Sequence, residues 1–361
     1  MIKLRKEIMT EVFASVFSYG TMVLAGNVTE KKYISEYKCE VHNMSKIPVM
    51  IDCDPGVDDS YAIALANSNP NYKVVALTAV EGNVPAVLTR HNCLGLRETF
   101  DMEETMVAYG ATIPLVKPYF RDASGTHGAD GIGGIQLPNP TKAQEEKEAW
   151  DIIYDEAVKY NGELVLFAVG PLTNIATALR KYPDLPNYIK RFVIMGGGTF
   201  GNVTATSETA EFNIWVDPTA AKEVFEKMEV YMVGLNATHA AAVEEKDFDE
   251  MLEITASGNN KQSEFLHKLT KFSKENSFGR GQDNNVIHDA LAIAADMDAE
   301  VVEFKKYYVY VEDRDVENNG ETVIDLEGKS GKEPNCWVAV GVDQPKFVQM
   351  MKDMCRHYAE M

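Results

Sequence analysis

The stretch Val49–Asp59, with the sequence VMIDCDPGVDD, joins an apolar run to four aspartates around a Pro-Gly pair. The apolar residues predict a buried strand, and Pro-Gly predicts a turn directly after it. Asp52, Asp54, Asp58 and Asp59 would repel one another, and burying them unpaired at the end of a strand is costly. The stretch therefore predicts a bound cation or strong hydrogen bonding at this point.

The rest of the chain alternates short runs rich in β-branched residues with amphipathic stretches, which is typical of βαβ units. The predicted strands are Pro48–Ile51, Lys73–Val80, Met106–Tyr109, Leu164–Val169, Phe192–Met195, Val230–Leu235 and Tyr307–Val311. The predicted helices are Asp59–Ala66, Ala86–Phe100, Ala143–Lys159, Leu172–Arg180, Pro218–Lys227 and Lys261–Lys274. This pattern predicts an α/β fold with a single open, mainly parallel sheet flanked by helices, a Rossmann-like core.

The composition is that of a globular protein, with 361 residues, 45% of them hydrophobic and 25% charged. The formal net charge is −20, so the protein repels phosphate, and we expect no nucleic-acid partner and no membrane partner for the core domain. No break in composition follows residue 45. We therefore expect an N-terminal extension over residues 1–45 and one main domain over residues 46–361.

The five cysteines are odd in number, widely spaced and without a C-x-x-C pair, which favours a reducing, cytoplasmic location. The extension complicates this interpretation because basic residues near its start precede the apolar stretch Val12–Gly26, as in a weak secretory signal. Secretion therefore stays open, and residues 1–45 are expected to be signal-like or disordered.

A cation at the acidic turn would need ligands from further along the chain. Ligands of open α/β sheets bind at the carboxyl ends of the strands. Carboxylate oxygens suit Ca²⁺ or Mg²⁺, and Ca²⁺ takes about six to eight oxygen ligands. A simpler alternative makes Asp58 or Asp59 a helix cap and Asp52 a solvated strand end. That alternative explains single aspartates but not all four together.

The acidic turn resembles the N-terminal signature of the inosine-uridine-type nucleoside hydrolases, and further motifs follow in that family's order. They are Glu81-Gly82-Asn83, His127-Gly128-Ala129-Asp130-Gly131, Gly170-Pro171-Leu172-Thr173-Asn174, Met195-Gly196-Gly197-Gly198, Ala210-Glu211-Phe212-Asn213 with Asp217-Pro218, and His288-Asp289. The match runs from about Ile47 to Asp343. It implies Ca²⁺-dependent hydrolysis of the N-glycosidic bond of ribonucleosides of the inosine and uridine type, by a homodimer or homotetramer.

The resemblance also implies how the site is built. Ca²⁺ would be held by Asp54, Asp59, the backbone carbonyl of Val169, and Asp289, with water and the ribose 2′ and 3′ hydroxyls completing its shell. Asp54 would be the general base for the metal-bound water. Asp58 would accept a ribose hydroxyl, and Asp52 is interpreted as a supporting residue.

Further residues are implied for the sugar and the base. Those around the ribose are Asn83, Met195, Asn202, Glu211 and Asn213. The reaction passes through an oxocarbenium-like sugar, which carboxylates and amide oxygens stabilise. His288 would protonate the leaving base and His127 would contact it. Without the motif order, the asparagines would be interpreted as turn residues, Glu211 as a surface charge, and each histidine as a packing or surface residue, as we interpret His239.

Several features bear on base preference and on the competing functions. His288, where a tryptophan would stand in the purine-specific branch, goes against that branch, and Phe272–Asn285 is expected to form a flap over the base. Asn236 and Ala290 depart from the family's usual Asp and Pro. The alternatives are a haloacid-dehalogenase-type phosphatase, from the Asp-x-Asp start, and a catalytically silent module that binds nucleoside or Ca²⁺.

Overall fold

The computed structural model describes residues 46–116, 123–201, 209–314 and 319–361, and within them the chain folds around one sheet. The expected extension over residues 1–45 and the candidate Asn202 lie outside these ranges. The strands are β1 (Ile47–Cys53), β2 (Tyr72–Ala79), β3 (Met106–Tyr109), β4 (Leu164–Ala168), β5 (Ile189–Met195), β6 (Val230–Val233), β7 (Val302–Val311), β8 (Thr322–Asp325) and β9 (Cys336–Val342).

The strand order is β3-β2-β1-β4-β5-β6-β9-β7-β8. The neighbours from β3 to β9 pair in parallel, whereas β7 is antiparallel to both β9 and β8. The prediction of an open, mainly parallel sheet is confirmed.

Helices cover both faces of this sheet. They are α1 (Val57–Ser68), α2 (Ala86–Thr99), α3 (Ser124–His127), α4 (Ala149–Tyr160), α5 (Thr173–Lys181), α6 (Phe212–Val216), α7 (Pro218–Lys227), α8 (Leu235–Ala240), α9 (Glu245–Ala256), α10 (Lys261–Ser277), α11 (His288–Met297) and α12 (Gln344–Ala359), with 3₁₀ turns at Leu185–Tyr188 and Phe278–Arg280. Among the helices of the described ranges, none is both long enough and apolar enough to cross a membrane.

The central strand β1 contributes to the core on both of its faces. Its residues Val49 and Ile51 join the cluster that packs under α1 and α11, while Met50 joins the cluster under α4, α5 and α7. A strand buried on both faces reads as a continuous apolar run, as the sequence of β1 does. Because helices close both faces, the carboxyl ends of the parallel strands are the edge open to a ligand.

One predicted helix boundary is wrong. The helix expected from Ala143 begins at Ala149, and the preceding residues lie against the edge strand β3, where the Glu145 N–H donates to the Val107 carbonyl at 2.7 Å. This segment has good helix formers, but its backbone pairs instead with an exposed sheet edge. The strands β8 and β9 and the helices α3, α6, α8, α9, α11 and α12 were not among the predicted elements.

Candidate active site

The acidic turn is organised around Asp59. Gly56 caps the N-terminus of α1, and Asp59 Oδ2 accepts the Gly56 N–H at 2.8 Å, while Oδ1 accepts the Asp54 N–H at 3.2 Å. The N-cap of α1 is therefore Gly56, not Asp58 or Asp59 as the simpler alternative proposes, and Asp59 completes the capping box from the third helical position. The cap accounts for Asp59 alone and leaves the other carboxylates of the turn to be explained.

Asp289, in the first turn of α11, joins this group from the far end of the sequence. One carboxylate oxygen from each of Asp58, Asp59 and Asp289 lies within 4.8 Å of the others. Burial, and then the charge of Asp58, raise the pKa of Asp59 to about 7. Burial and the three neighbouring aspartates also raise the pKa of Asp289 well above its usual range. Such a group favours binding of a cation, which would relieve the repulsion.

Asp54 lies beside the cluster in a tight cradle, although it is not one of the three residues grouped within 4.8 Å. Its Oδ2 accepts the Asn83 N–H at 2.6 Å, and its buried Oδ1 has no hydrogen-bond partner among the described residues. A Cβ on Gly82 would lie 1.9 Å from Oδ2, and one on Gly170 would lie 2.5 Å from Oδ1. Burial and Asp59 raise the pKa of Asp54 well above its usual range. The unpartnered oxygen fits a cation or a water molecule as its missing partner.

The carbonyl of Val169, at the end of β4, faces a residue from the Ala210–Asn213 motif. Asn213 Nδ2 donates to Val169 O at 2.9 Å and to Met195 O at 3.1 Å. Because a carbonyl oxygen has two lone pairs, Val169 can still accept one further partner. Asn213 thus joins the ends of β4 and β5.

Glu211 caps α6 and is only 3% exposed, so its interpretation as a surface charge is wrong. Its carboxylate accepts the N–H groups of Asn213 at 2.9 Å, Gly197 at 3.1 Å and Ile214 at 3.2 Å. Burial raises the pKa of Glu211 to about 7, and these hydrogen bonds oppose the rise. The residue is therefore fixed at the carboxyl end of β5.

Asn83 and His127 both contact the acidic turn. Asn83 Nδ2 donates to the Asp54 carbonyl at 3.2 Å and to Asp59 Oδ2 at 3.1 Å. His127 Nδ1 accepts the Val57 N–H at 3.1 Å and lies 3.6 Å from Asp58 Oδ1. Since Nδ1 accepts this bond, the ring carries its proton on Nε2, and burial lowers the pKa of His127.

His288 opens α11 next to Asp289. Its Nδ1 lies 2.9 Å from Thr238 Oγ1, and its ring centroid is 5.8 Å from that of His239. Burial lowers the pKa of His288 to about 4, and the charge of Asp58 opposes this effect. His239 is exposed and packs its ring against that of His288, as expected of a packing or surface residue.

Asp52 is fully buried, so it is not a solvated strand end. Its Oδ1 accepts the Thr78 hydroxyl at 2.5 Å and Asn174 Nδ2 at 2.7 Å, and Asn174 Oδ1 accepts the Ala111 N–H at 2.8 Å. The Gly170–Asn174 motif signals Asn174, but no sequence pattern signals Thr78. This network fastens the ends of β1, β2 and β3 behind the acidic turn.

The segment expected to form a flap begins as the last turn of α10 and continues into the 3₁₀ turn. Asn276 Nδ2 donates to the Thr126 carbonyl at 2.9 Å, and Arg280 Nη1 donates to the Gly125 carbonyl at 3.1 Å. The segment thus lies against the loop that carries His127. A contact between this segment and the base stays a prediction.

The chain is similar to proteins of one known family. Residues 49–349 match the sequence model of the family described as inosine-uridine preferring nucleoside hydrolase. A protein of Oryza sativa subsp. japonica named "Probable uridine nucleosidase 2" is 36% identical over 338 residues, covering 89% of this chain and 98% of the relative. The "Pyrimidine-specific ribonucleoside hydrolase RihA" of Escherichia coli (strain SMS-3-5 / SECEC) is 34% identical over 318 residues, covering 87% and 99%.

Solved structures of nucleoside hydrolases are also similar to this chain. The "Purine-Preferring Ribonucleoside Hydrolase from Gardnerella vaginalis" superposes with a TM-score of 0.78 at 30% identity, covering 87% of this chain and 99% of that one. The "Inosine-Guanosine Nucleoside Hydrolase (IG-NH)" gives a TM-score of 0.75 at 29% identity, covering 85% and 98%. With the acidic site at the carboxyl ends of the strands, the chain belongs to the inosine-uridine preferring nucleoside hydrolase family, and it is an N-ribosyl hydrolase.

Proposed function

We propose that the protein hydrolyses the N-glycosidic bond of ribonucleosides of the inosine and uridine type to ribose and free base, using Ca²⁺. The observation that carries the proposal is the aspartate cluster of half-buried Asp58 and buried Asp59 and Asp289, beside the unpartnered oxygen of Asp54. The printed names of the relatives include uridine, pyrimidine and purine nucleosides, so they leave base preference to measurement.

The cation would be held by Asp54, Asp59, the Val169 carbonyl and Asp289. The raised pKa values of these aspartates support this, since like charges in a buried cluster favour a bound cation. When bound, a divalent ion supplies a water of lowered pKa and a grip on the ribose diol. Family membership goes against the phosphatase alternative.

In this proposal each residue of the site has one role in the reaction. Asp54 accepts the proton of the attacking water, and Asp58 accepts a ribose hydroxyl, with Asn83 and Asn213 close to the same sugar. Glu211 and the aspartates surround the sugar with negative charge that stabilises an oxocarbenium-like transition state. The remaining assignments are to Met195 and Asn202 for the ribose, to His127 for contact with the base and to His288 for its protonation.

The test is a reducing-sugar assay on inosine and uridine with the wild-type protein and Asp54→Asn. We expect kcat/KM to fall by about 10⁴-fold or more, because the variant loses the general base and a metal ligand together. Asp155→Asn, which changes a half-exposed aspartate on α4, is the matched control and should keep wild-type activity. Equal rates for Asp54→Asn and the wild-type protein would overturn the role of Asp54, and no activity in either protein would favour the silent binding module.

The proposal extends to assembly and location. We infer one catalytic domain over residues 46–361 preceded by an extension, and a homodimer or homotetramer, which light scattering measures directly. A reducing, cytoplasmic location is supported by Cys53, Cys93, Cys336 and Cys355, which are all buried free thiols. Intact-mass measurement of the native protein tests whether the extension is retained.

A further inference from the structure

The hydroxyl of Thr238 occupies a buried position between α8 and His288. Thr238 is 1% exposed, and its Oγ1 lies 2.9 Å from His288 Nδ1. The same hydroxyl donates to the Leu235 carbonyl at 3.3 Å. A hydroxyl has one hydrogen and two lone pairs, so with its hydrogen on Leu235 O it faces His288 as an acceptor.

This arrangement has a consequence for the two nitrogens of the imidazole ring. An acceptor opposite Nδ1 requires a proton on Nδ1. Because burial lowers the pKa of His288, the resting ring is neutral with Nε2 unprotonated; a proton taken up at Nε2, on the far side, makes an imidazolium that readily gives the same proton up again. The His239 ring packs on His288 at an interplanar angle of 64°, which also limits rotation of the His288 ring.

We propose that Thr238 is a positioning residue that accepts the Nδ1–H of His288 and so reserves Nε2 for proton transfer to the leaving base. This inference rests on the proposed function. As the C1′–N bond breaks, its electron pair stays on the base nitrogen, which takes the Nε2 proton. The water oxygen bonds to C1′, and the proton of that water passes to Asp54. His288 keeps its Nδ1–H on Thr238 throughout and regains a proton at Nε2 from solvent.

The experiment compares Thr238→Val and Thr238→Ser on two kinds of substrate. Inosine and uridine need a proton on the departing base, whereas 4-nitrophenyl riboside releases a stable phenolate that needs none. We expect Thr238→Val to lower kcat on inosine and uridine about tenfold to a hundredfold and to change kcat on the nitrophenyl riboside less than about twofold. Thr238→Ser retains the hydroxyl and should restore most of the lost activity.

The chain supplies a matched control in a second threonine and histidine pair outside the site. Thr255 Oγ1 lies 3.2 Å from His267 Nδ1, and Thr255 is 2% exposed. Thr255→Val makes the same change in a similar setting and should leave the ratio of the two substrate activities unchanged. Its melting temperature also gives the stability effect of losing such a hydroxyl.

A double-mutant cycle tests whether Thr238 acts through His288. In a His288→Ala background, Thr238→Val should cause no further loss on inosine, because the group it orients is gone. Equal losses on both kinds of substrate, or additive losses in the cycle, would overturn the inference and leave Thr238 a structural residue. Wild-type protein that releases ribose from none of the substrates would overturn the proposed function itself, and with it this inference.

Discussion

The carboxylate of Asp54 lies between two glycines whose missing side chains make room for it. The nearer, Gly82, precedes Asn83, whose N–H donates to the same carboxylate. A methyl group at Gly82 would overlap Asp54 Oδ2, because a Cβ at 1.9 Å is far inside van der Waals contact. One added carbon would therefore displace the group on which the proposed chemistry depends.

We expect Gly82→Ala to lower kcat/KM for inosine about a hundredfold, since an ångström of misplacement at a reacting group can cost this much. Steady-state kinetics and a thermal melt on the same preparation give the measurement. Gly125→Ala is the control, because a Cβ there meets nothing within 4 Å and its φ is not positive. Wild-type kinetics for Gly82→Ala would show that Asp54 need not stay where it lies.

Residue identity was predictable where sequence spacing carries chemistry. Asp54, Asp58 and Asp59 lie together because they share one turn, and the prediction that four carboxylates crowd there needs no long-range information. Thr238 and Thr78 were not predictable, since a single threonine in a helix or strand has no distinguishing pattern. Their roles arise only when the fold brings them 2.9 Å from His288 Nδ1 and 2.5 Å from Asp52 Oδ1.

At the scale of elements, the hairpin of β7 and β8 supports the glycine loop that follows β5. Thr322, at the start of β8, accepts the Gly198 N–H at 2.9 Å and donates to the Gly198 carbonyl at 2.8 Å. The adjacent Gly197 N–H donates to Glu211. The hairpin thus supports Glu211, a proposed ribose contact, because the Thr322 hydroxyl holds Gly198 and the neighbouring Gly197 donates to Glu211.

Thr322→Val should raise KM for inosine and lower the free energy of unfolding by about 1–3 kcal/mol, because two buried backbone groups of Gly198 lose their partner. Thr322→Ser keeps the hydroxyl and should stay close to the wild-type protein in both respects. Denaturant titration and steady-state kinetics measure the two effects. A Val variant as stable as Ser would contradict the supporting role of β8.

The strands β1 to β6 were predictable because their apolar runs are continuous and bounded by turns. The strand β8 is four residues long, and three of its residues are only half-buried, so hydrophobicity marks it weakly. The helix α11 begins at His288, inside the His288-Asp289 motif, which we interpreted for its chemistry and not as the start of a helix. The start predicted for α4 was too early because the residues before Ala149 are good helix formers but pair with the edge of β3 instead.

For the molecule as a whole, calcium binding and pH should be coupled. Burial raises the pKa of Asp59 to about 7 and raises the pKa values of Asp54 and Asp289 well above their usual range, so the metal-free native state holds these protons more tightly than the unfolded chain. Metal-free stability from these groups therefore declines as pH rises toward and through about 7. Below that pH a cation must displace protons, and above it the carboxylates are free to bind.

We expect the increase in melting temperature caused by Ca²⁺ to be small at pH 5.5 and to grow toward pH 8. At a hundredfold excess of Ca²⁺ over Kd, the free energy of unfolding should rise by about 2.7 kcal/mol. Scanning calorimetry of chelator-treated protein, with and without Ca²⁺ at each pH, gives the measurement. Asp54→Asn is the control and should show a reduced increase at pH 8. An increase independent of pH would contradict binding by these aspartates.

The acidic cluster draws Asp58 and Asp59 from the first turn of α1 and Asp289 from the first turn of α11, two helices that pack against each other although most of the chain separates them. A polypeptide whose synthesis stopped short of residue 289 would carry the whole N-terminal motif and still lack the aspartate that completes the group. If these aspartates bind the cation as proposed, a chain truncated before residue 289 lacks one of the ligands, and we expect it to have no hydrolase activity.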